Sequence, residues 1–130
     1  MNKTTPVDLS AYTLLLGETR QQPMNIGSLL FYRVPEEQSA DDVAAQFADY
    51  LLSYAGASPP FNYRLVQRLG RPLWQEDPDF DITHHVRHLR PPKPGTVKEL
   101  LKLVGILHGA TMDRSAPLWY LWVISGLSDN

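Results

Sequence analysis

The run "PLWYLWVISGL" (Pro117 to Leu127) constrains the fold of this chain more than any other stretch. Seven bulky residues stand consecutively from Leu118 to Ile124. A segment with no polar position on either alternating side has no face to give to water. It reads as a central strand, buried on both faces. The following "SGLSDN" is turn chemistry, and a turn after such a strand ordinarily leads to a partner strand. Left alone, the run would present an adhesive edge. The chain therefore reads as the front part of a longer protein.

The elements before it can be placed from local signals. Asp8 is a helix cap for a short helix with Leu9, Tyr12, Leu15 and Leu16 on one side. "NIGSLLFYRV" is apolar on both faces, with Ile26, Leu30 and Val34 one way and Leu29 and Phe31 the other; it reads as a covered strand ended by Pro35. Ser39 and Asp42 open a helix whose stripe is Val43, Phe47, Tyr50, Leu51 and Tyr54, with Gly56 as its C-terminal cap. A short segment, "NYRLVQRL", precedes "GRPLWQEDPDF", which reads as a loop because two prolines interrupt pairing. Thr96 and Glu99 form a capping box for "VKELLKLVGILHG", with Leu100, Leu101, Val104 and Leu107 inward, Lys98 and Lys102 outward, and Gly109 closing it. The order of helices and strands gives a mixed α/β fold with crossovers, neither bundle nor barrel.

Composition excludes several functions. Net charge is −2, from 12 basic and 14 acidic residues with no long block of either sign, which is no footprint for nucleic acid. The absence of cysteine removes thiol nucleophiles, disulfides and cysteine-ligated metal, and fits a reducing cytoplasm. The N-terminus lacks the basic start and long apolar run of a secretory signal, and nothing approaches the roughly 18 apolar residues of a membrane span. The chain reads as soluble or peripheral.

"DITHHVRHL" places His84, His85 and His88 within five positions. The alternation Phe80, Ile82, His84, Val86, His88 reads as one face of a half-buried strand. On a flat strand His84 and His88 lie about 13 Å apart, four residues at roughly 3.3 Å each. One zinc ion needs its histidines at about 2 Å, so this pair does not make a metal site. The bland reading, strand histidines partly packed and partly solvated, is favoured. His108, late in its helix, suits the C-terminal end of the dipole. Arg64, Arg68 and Arg71 are followed by Glu76, Asp77, Asp79 and Asp81, which reads as a self-compensating surface rather than a phosphate or anionic-lipid contact. Asp113 and Arg114 read as a local ion pair on a loop.

Four stretches together resemble the bacterial wax ester synthase/diacylglycerol acyltransferase family. They are "PMNIGSLLFY" (Pro23 to Tyr32), "LGRPLWQEDPDFDITHHVRH" (Leu69 to His88), "LHGATMDRSAPLW" (Leu107 to Trp119) and "WVISGL" (Trp122 to Leu127). "PLW" at Pro117, Leu118 and Trp119, after "DRS" and before "GL", is the most specific. The resemblance implies the N-terminal portion of a chloramphenicol acetyltransferase-like fold, also that of peptide-synthetase condensation domains. Residues 1–130 would be the N-terminal part of an acyltransferase domain, with the catalytic HHxxxDG segment and a C-terminal domain outside them.

The implied reaction transfers a fatty acyl group from acyl-CoA, as substrate, to a long-chain alcohol or diacylglycerol, with no cofactor. The second histidine of HHxxxDG serves as general base in this family, a task suited to an imidazole that titrates near working pH. His84–His85 is not that motif: no Asp-Gly follows at the required spacing, and the pair precedes "PLW" instead of following it. No catalytic residue is therefore assigned within the chain. Pro117, Leu118 and Trp119 are the substrate-binding candidates, sharing that role with holding the site's architecture, and Tyr120 and Trp122 are implied neighbours of an acyl or CoA tunnel. One departure is Asn25, where many relatives carry histidine. The family setting implies cytoplasm or the periphery of the inner membrane or of lipid inclusions. The rival readings are a non-catalytic interaction module that dimerises through its exposed strand, and an unrelated small α/β ligand-binding domain.

Overall fold

The computed structural model describes residues 4–54 and 58–128 of the chain. It contains β1 (Thr4–Pro6), α1 (Leu9–Gly17), α2 (Ala40–Tyr54), β2 (Tyr63–Arg68), β3 (Arg71–Glu76), a 3-10 turn (Ile82–His84), β4 (Val86–Leu89), α3 (Val97–His108) and β5 (Leu121–Ile124). The expected mixed α/β class is what the chain adopts. Its strands form two small sheets: an antiparallel one in the order β1-β3-β2, and a parallel pair, β4 with β5.

The helix starts follow their caps. The amide of Ala11 donates to Asp8 Oδ1 at 3.0 Å, and that of Asp42 donates to Ser39 Oγ at 3.4 Å. At α3, the Thr96 amide donates to Glu99 Oε2 at 3.2 Å and its hydroxyl to the same oxygen. Each of the amide bonds satisfies a backbone N–H that the first helical turn leaves without an intrahelical partner. Gly109 closes α3 by donating to the carbonyl of Gly105. The expected cap at Gly56 and the Tyr54 side chain lie outside the described residues.

The core is small, and of the expected stripe of α2 it is Leu51 that packs against it, while two alanines beside the stripe enter it. Ala44 and Ala48 pack against Val123 of β5, with Leu51 and Leu121 at the margin. Phe47 and Tyr50 stay more than 40% exposed. Alanine lets the helix approach the sheet closely, where an aromatic ring at that position would hold it off. In α3 Leu100 is the deeply buried residue, whereas Leu101 is exposed. In α1 the apolar side is only partly covered: Leu9 and Leu16 are exposed, and Tyr12 and Leu15 half-buried.

Three expectations about strands are corrected. "GRPLWQEDPDF" is no loop, since Arg71–Glu76 is the middle strand of the antiparallel sheet. Its proline is tolerated because Gln67 and Pro72 are the second pair from a two-residue hairpin, a position where neither amide points across to the partner strand. On the other side Pro72 still accepts a bond from the Val7 amide at 3.5 Å, just past the end of β1, so its missing N–H leaves only the return bond of that pair unmade. Conversely, "NIGSLLFYRV" forms no strand among the described residues: 23–35 has neither helix nor ladder. The terminal run is also shorter than expected. Only Leu121–Ile124 pairs, with β4 on one side, and Val123 alone of the four is fully buried.

The segment leaving β5 is tightly held. Gly126 has φ +82°, and its carbonyl lies so close to Gly95 that a Cβ there has no room. Ser128 donates its amide to the Gly95 carbonyl at 2.9 Å.

Candidate functional site

The double-histidine stretch does not run as one flat strand. Asp81 accepts from the Thr83 amide at 2.9 Å and from the Thr83 hydroxyl at 2.7 Å, which starts a 3-10 turn. Strand geometry begins only at Val86, so the period-two register drawn from Phe80 is broken. His84 is left in solvent, facing the Asp81 carboxylate at 4.0 Å. The next two residues, His85 and Val86, are both buried, at 3% and 5% exposure. His84 and His88 therefore do not share a strand face.

His85 is the centre of an aromatic stack. Its ring lies against Trp119 at 4.7 Å between centroids, Phe80 at 5.3 Å and Tyr120 at 5.7 Å. Its Nδ1 is 2.9 Å from the carbonyl of Trp119, and because a carbonyl only accepts, Nδ1 carries the proton. The indole of Trp119 in turn donates to the Phe61 carbonyl at 2.7 Å. Trp119 thus joins the hairpin region to the start of β5 and fixes the tautomer of His85.

Beside this stack opens a cleft of about 200 Å³. Pro117, Tyr120, His84, His85 and Arg87 line it together with Asp77, Asp79, Asp81 and Asp113, which make it acidic. Hydrogen bonds from the hydroxyl and amide of Thr83 hold the Asp81 carboxyl below its ordinary value, and those of Ser115 do the same for Asp113. Both are anions at neutral pH. Of the three substrate-side candidates, only Pro117 faces this cleft. Trp119 stands behind it as a prop for His85, and Leu118 is half-buried with no place in the lining. Trp122 stacks on Tyr120 at 5.6 Å, with the Arg87 guanidinium 6.0 Å from its ring.

A second polar cluster links three elements. The Ser125 hydroxyl donates to Asp41 Oδ1 at 2.7 Å, and His88 Nε2 lies 2.7 Å from the same hydroxyl oxygen. Since the serine proton points at Asp41, His88 is the donor. That is the reverse of a base removing a proton from a nucleophile, so the trio ties α2, β4 and β5 together and activates nothing. Arg90 pairs with the other oxygen of Asp41. Sequence spacing carries no sign of this cluster, whose members are separated by up to 84 residues.

Other expected pairings are redrawn. Arg114 does not pair with Asp113; it reaches back to Glu18 at 3.0 Å and to the Leu15 carbonyl at 2.8 Å. Asp113 is already taken by Ser115, in a bond of 2.7 Å. Asn25 uses its side-chain amide to cap the C-terminus of α3, donating to His108 O at 2.8 Å and Ala110 O at 2.7 Å. Arg64 pairs with Asp77 at 3.5 Å, which bears out the expected charge compensation, although the Asp77 side chain is buried and not on the surface. Among the described residues no group of three or more histidine, aspartate or glutamate side chains could hold a metal ion, and no helix is long and apolar enough to cross a membrane.

The sequence pattern of the wax ester synthase/diacylglycerol acyltransferase catalytic domain matches residues 5–130. The chain belongs to that family. Similar proteins include an O-acyltransferase WSD from Acinetobacter baylyi, 34% identical over the whole of this chain and 27% of its own length. A probable diacylglycerol O-acyltransferase of Mycobacterium tuberculosis is 32% identical over 95% of this chain and 44% of its own. Among solved structures, the wax ester synthase/diacylglycerol acyltransferase from Marinobacter aquaeolei VT8 superposes with a TM-score of 0.86 at 42% identity, over 96% of this chain and 31% of that one. The chain thus spans between a quarter and a half of the length of these acyltransferase relatives.

Proposed function

We propose that these residues are the N-terminal part of an acyl-CoA-dependent O-acyltransferase making wax esters or triacylglycerols from fatty acyl-CoA and a long-chain alcohol or diacylglycerol. The observation that carries this reading is the 0.86 superposition on a wax ester synthase/diacylglycerol acyltransferase, together with the match over residues 5–130. In this reading the chain supplies scaffold and one wall of the substrate site. Pro117 and Tyr120 face the substrate side, Leu118 packs beside them, and Trp119 sets their position by bracing His85.

The general base belongs outside these residues. The sequence holds no HHxxxDG, His85 is enclosed by aromatic rings, and His88 is committed to Ser125. Lipid substrates suit a cytoplasmic enzyme working at the periphery of the inner membrane or of lipid inclusions.

The test follows thiol release from palmitoyl-CoA with hexadecanol or dipalmitoylglycerol as acceptor. The 130-residue chain is expected to give no release above background. Joined to the downstream residues of the Marinobacter synthase, it is expected to form ester. Turnover by the 130 residues alone would overturn the placement of the base, and a folded, inactive fusion would overturn the assignment of the reaction.

A further inference from the structure

The loop from Ala110 to Trp119 is fixed at both ends. Asn25 donates to the Ala110 carbonyl, while Trp119 is bound to Phe61 and stacked on His85. Between these ends Asp113, Ala116 and Pro117 line the cleft. Asp113 Oδ1 accepts from the amide and hydroxyl of Ser115, and its carbonyl accepts from the Ala116 amide at 3.2 Å. Those bonds stiffen the turn but attach it to nothing outside the loop. Among the described residues, only Arg114 sends hydrogen bonds from residues 113–117 to another part of the chain.

The grip of Arg114 falls on the end of α1. Its Nη2 donates to Glu18 Oε1 at 3.0 Å and to the Leu15 carbonyl at 2.8 Å, and its Nε donates to the same Glu18 oxygen at 3.3 Å. The other Glu18 oxygen accepts from the Met24 amide at 3.4 Å. Leu15 lies in the last turn of α1, where carbonyls lack intrahelical partners and the dipole favours a cation. That turn has no basic residue of its own, so Arg114 supplies the cation from 96 positions beyond Glu18. One planar guanidinium serves a carboxylate and a carbonyl together, which a lysine ammonium does less well. The Glu18 side chain is only 16% exposed, so salt screens this pair less than one on open surface.

We propose that Arg114 and Glu18 are positioning residues: they hold the Asp113–Pro117 turn against the end of α1 and so set where that wall of the cleft stands. This rests on the reading of the cleft as the substrate side. Neither residue touches substrate, and the wall moves no proton. Loosening it therefore weakens substrate and transition state alike, which raises KM and leaves kcat in place.

The test uses residues 1–130 joined to the downstream residues of the Marinobacter synthase, with palmitoyl-CoA and hexadecanol as substrates. Arg114→Gln and Glu18→Gln are each expected to raise KM for at least one substrate on the order of tenfold, with kcat changed less than about threefold. Arg114→Lys is expected to raise it by less, and the Arg114→Gln/Glu18→Gln double variant to be no worse than the worse single one. Arg20→Gln removes an exposed charge two residues from Glu18 and is expected to change nothing. Hydrogen exchange read by mass spectrometry follows the wall itself. The peptide holding Ser115 and Ala116 is expected to exchange on the order of tenfold faster in the variants, with α3 unchanged.

A lowered urea midpoint with KM unchanged would make the pair a structural tie alone and overturn the proposal. A rise in KM without faster exchange at that peptide overturns it as well. Should Arg114→Gln cost α3 its protection, Glu18→Gln and Arg114→Lys decide. A folded fusion that forms no ester is read instead by its dissociation constants for the two substrates, from the protection each induces. Weaker constants in the variants would keep the proposal and fault only the reaction, whereas no binding of either substrate would overturn both.

Discussion

His85 and Trp119 hold each other twice. The imidazole Nδ1–H donates to the tryptophan carbonyl at 2.9 Å, and the two rings stack with centroids 4.7 Å apart. His85→Ala removes the stack and leaves a buried carbonyl without its donor. The expected loss is about 2–4 kcal/mol, from the cavity and the orphaned acceptor together. His85→Asn, whose side-chain amide can still donate, is expected to cost less. Urea unfolding of the three proteins checks the order, and an equal loss for both variants would show that the hydrogen bond contributes little.

The hairpin between β2 and β3 turns through Leu69 and Gly70, at φ +50° and +75°. Both positive angles define a type I′ turn, whose preferred first residue is asparagine. Leu69 is fully exposed and packs on nothing. Leu69→Asn is therefore expected to stabilise the chain by about 0.5–1 kcal/mol, because a leucine pays the steric cost of a left-handed conformation. Thermal unfolding reads this directly; a lowered midpoint would contradict it.

Asn25 serves two carbonyls at the negative end of a helix. Asn25→Ala removes both bonds and is expected to cost about 1 kcal/mol, given their exposure. Asn25→Asp is nearly the same size but sets an anion against those carbonyls and the helix dipole. It is expected to be worse than alanine at pH 7, and to recover towards alanine when the aspartate is protonated near pH 3. Chemical denaturation at both pH values separates the two effects.

Asp81, Glu99 and Asp113 all sit below their ordinary values, each led by a hydroxyl hydrogen bond, from Thr83, Thr96 and Ser115 respectively. A carboxyl lowered in the native state favours folding in full above its unfolded value. That contribution disappears as pH falls through the lowered native one. Stability is thus expected to decline on acidification below the ordinary carboxylate range, starting from 4.5 for Glu99 and 3.8 for the aspartates. Ser115→Ala is expected to raise the Asp113 midpoint towards its ordinary value in a carboxyl-carbon NMR titration. A midpoint that does not move would remove the serine as the cause.

What could be seen in the sequence was local. Asp8, Ser39 and the Thr96–Glu99 pair act within one helical turn, so their spacing alone places three helix starts. The hairpin was hidden because its turn uses leucine where asparagine is usual, and because Pro72 reads as a breaker until the register shows its nitrogen facing away from β2. Alternation from Phe80 to His88 suggested a single strand, and only the Asp81–Thr83 bonds reveal the 3-10 turn that buries His85. The Asn25 cap, the Arg114–Glu18 pair and the Ser125–Asp41 bond join residues more than 80 positions apart, and no pattern along the chain announces them. "PLW" is one motif in the sequence, and its spacing could not show that its members take different places around the cleft. Pro117 faces the cleft, while the tryptophan holds a histidine.

The two sheets close by different routes. β2 meets β3 across two residues, whereas β4 and β5, being parallel, can meet only after the chain has travelled through all of α3. On a ribosome the hairpin can form as soon as Glu76 is clear of the exit tunnel, while Val86–Leu89 must wait, unpaired, until another thirty-odd residues have been made. During that interval the α2 face that will receive Val123 is open. The time taken to synthesise residues 90–124, and not the far faster coiling of α3, therefore sets how long a nascent chain is vulnerable to chaperone capture or to aggregation.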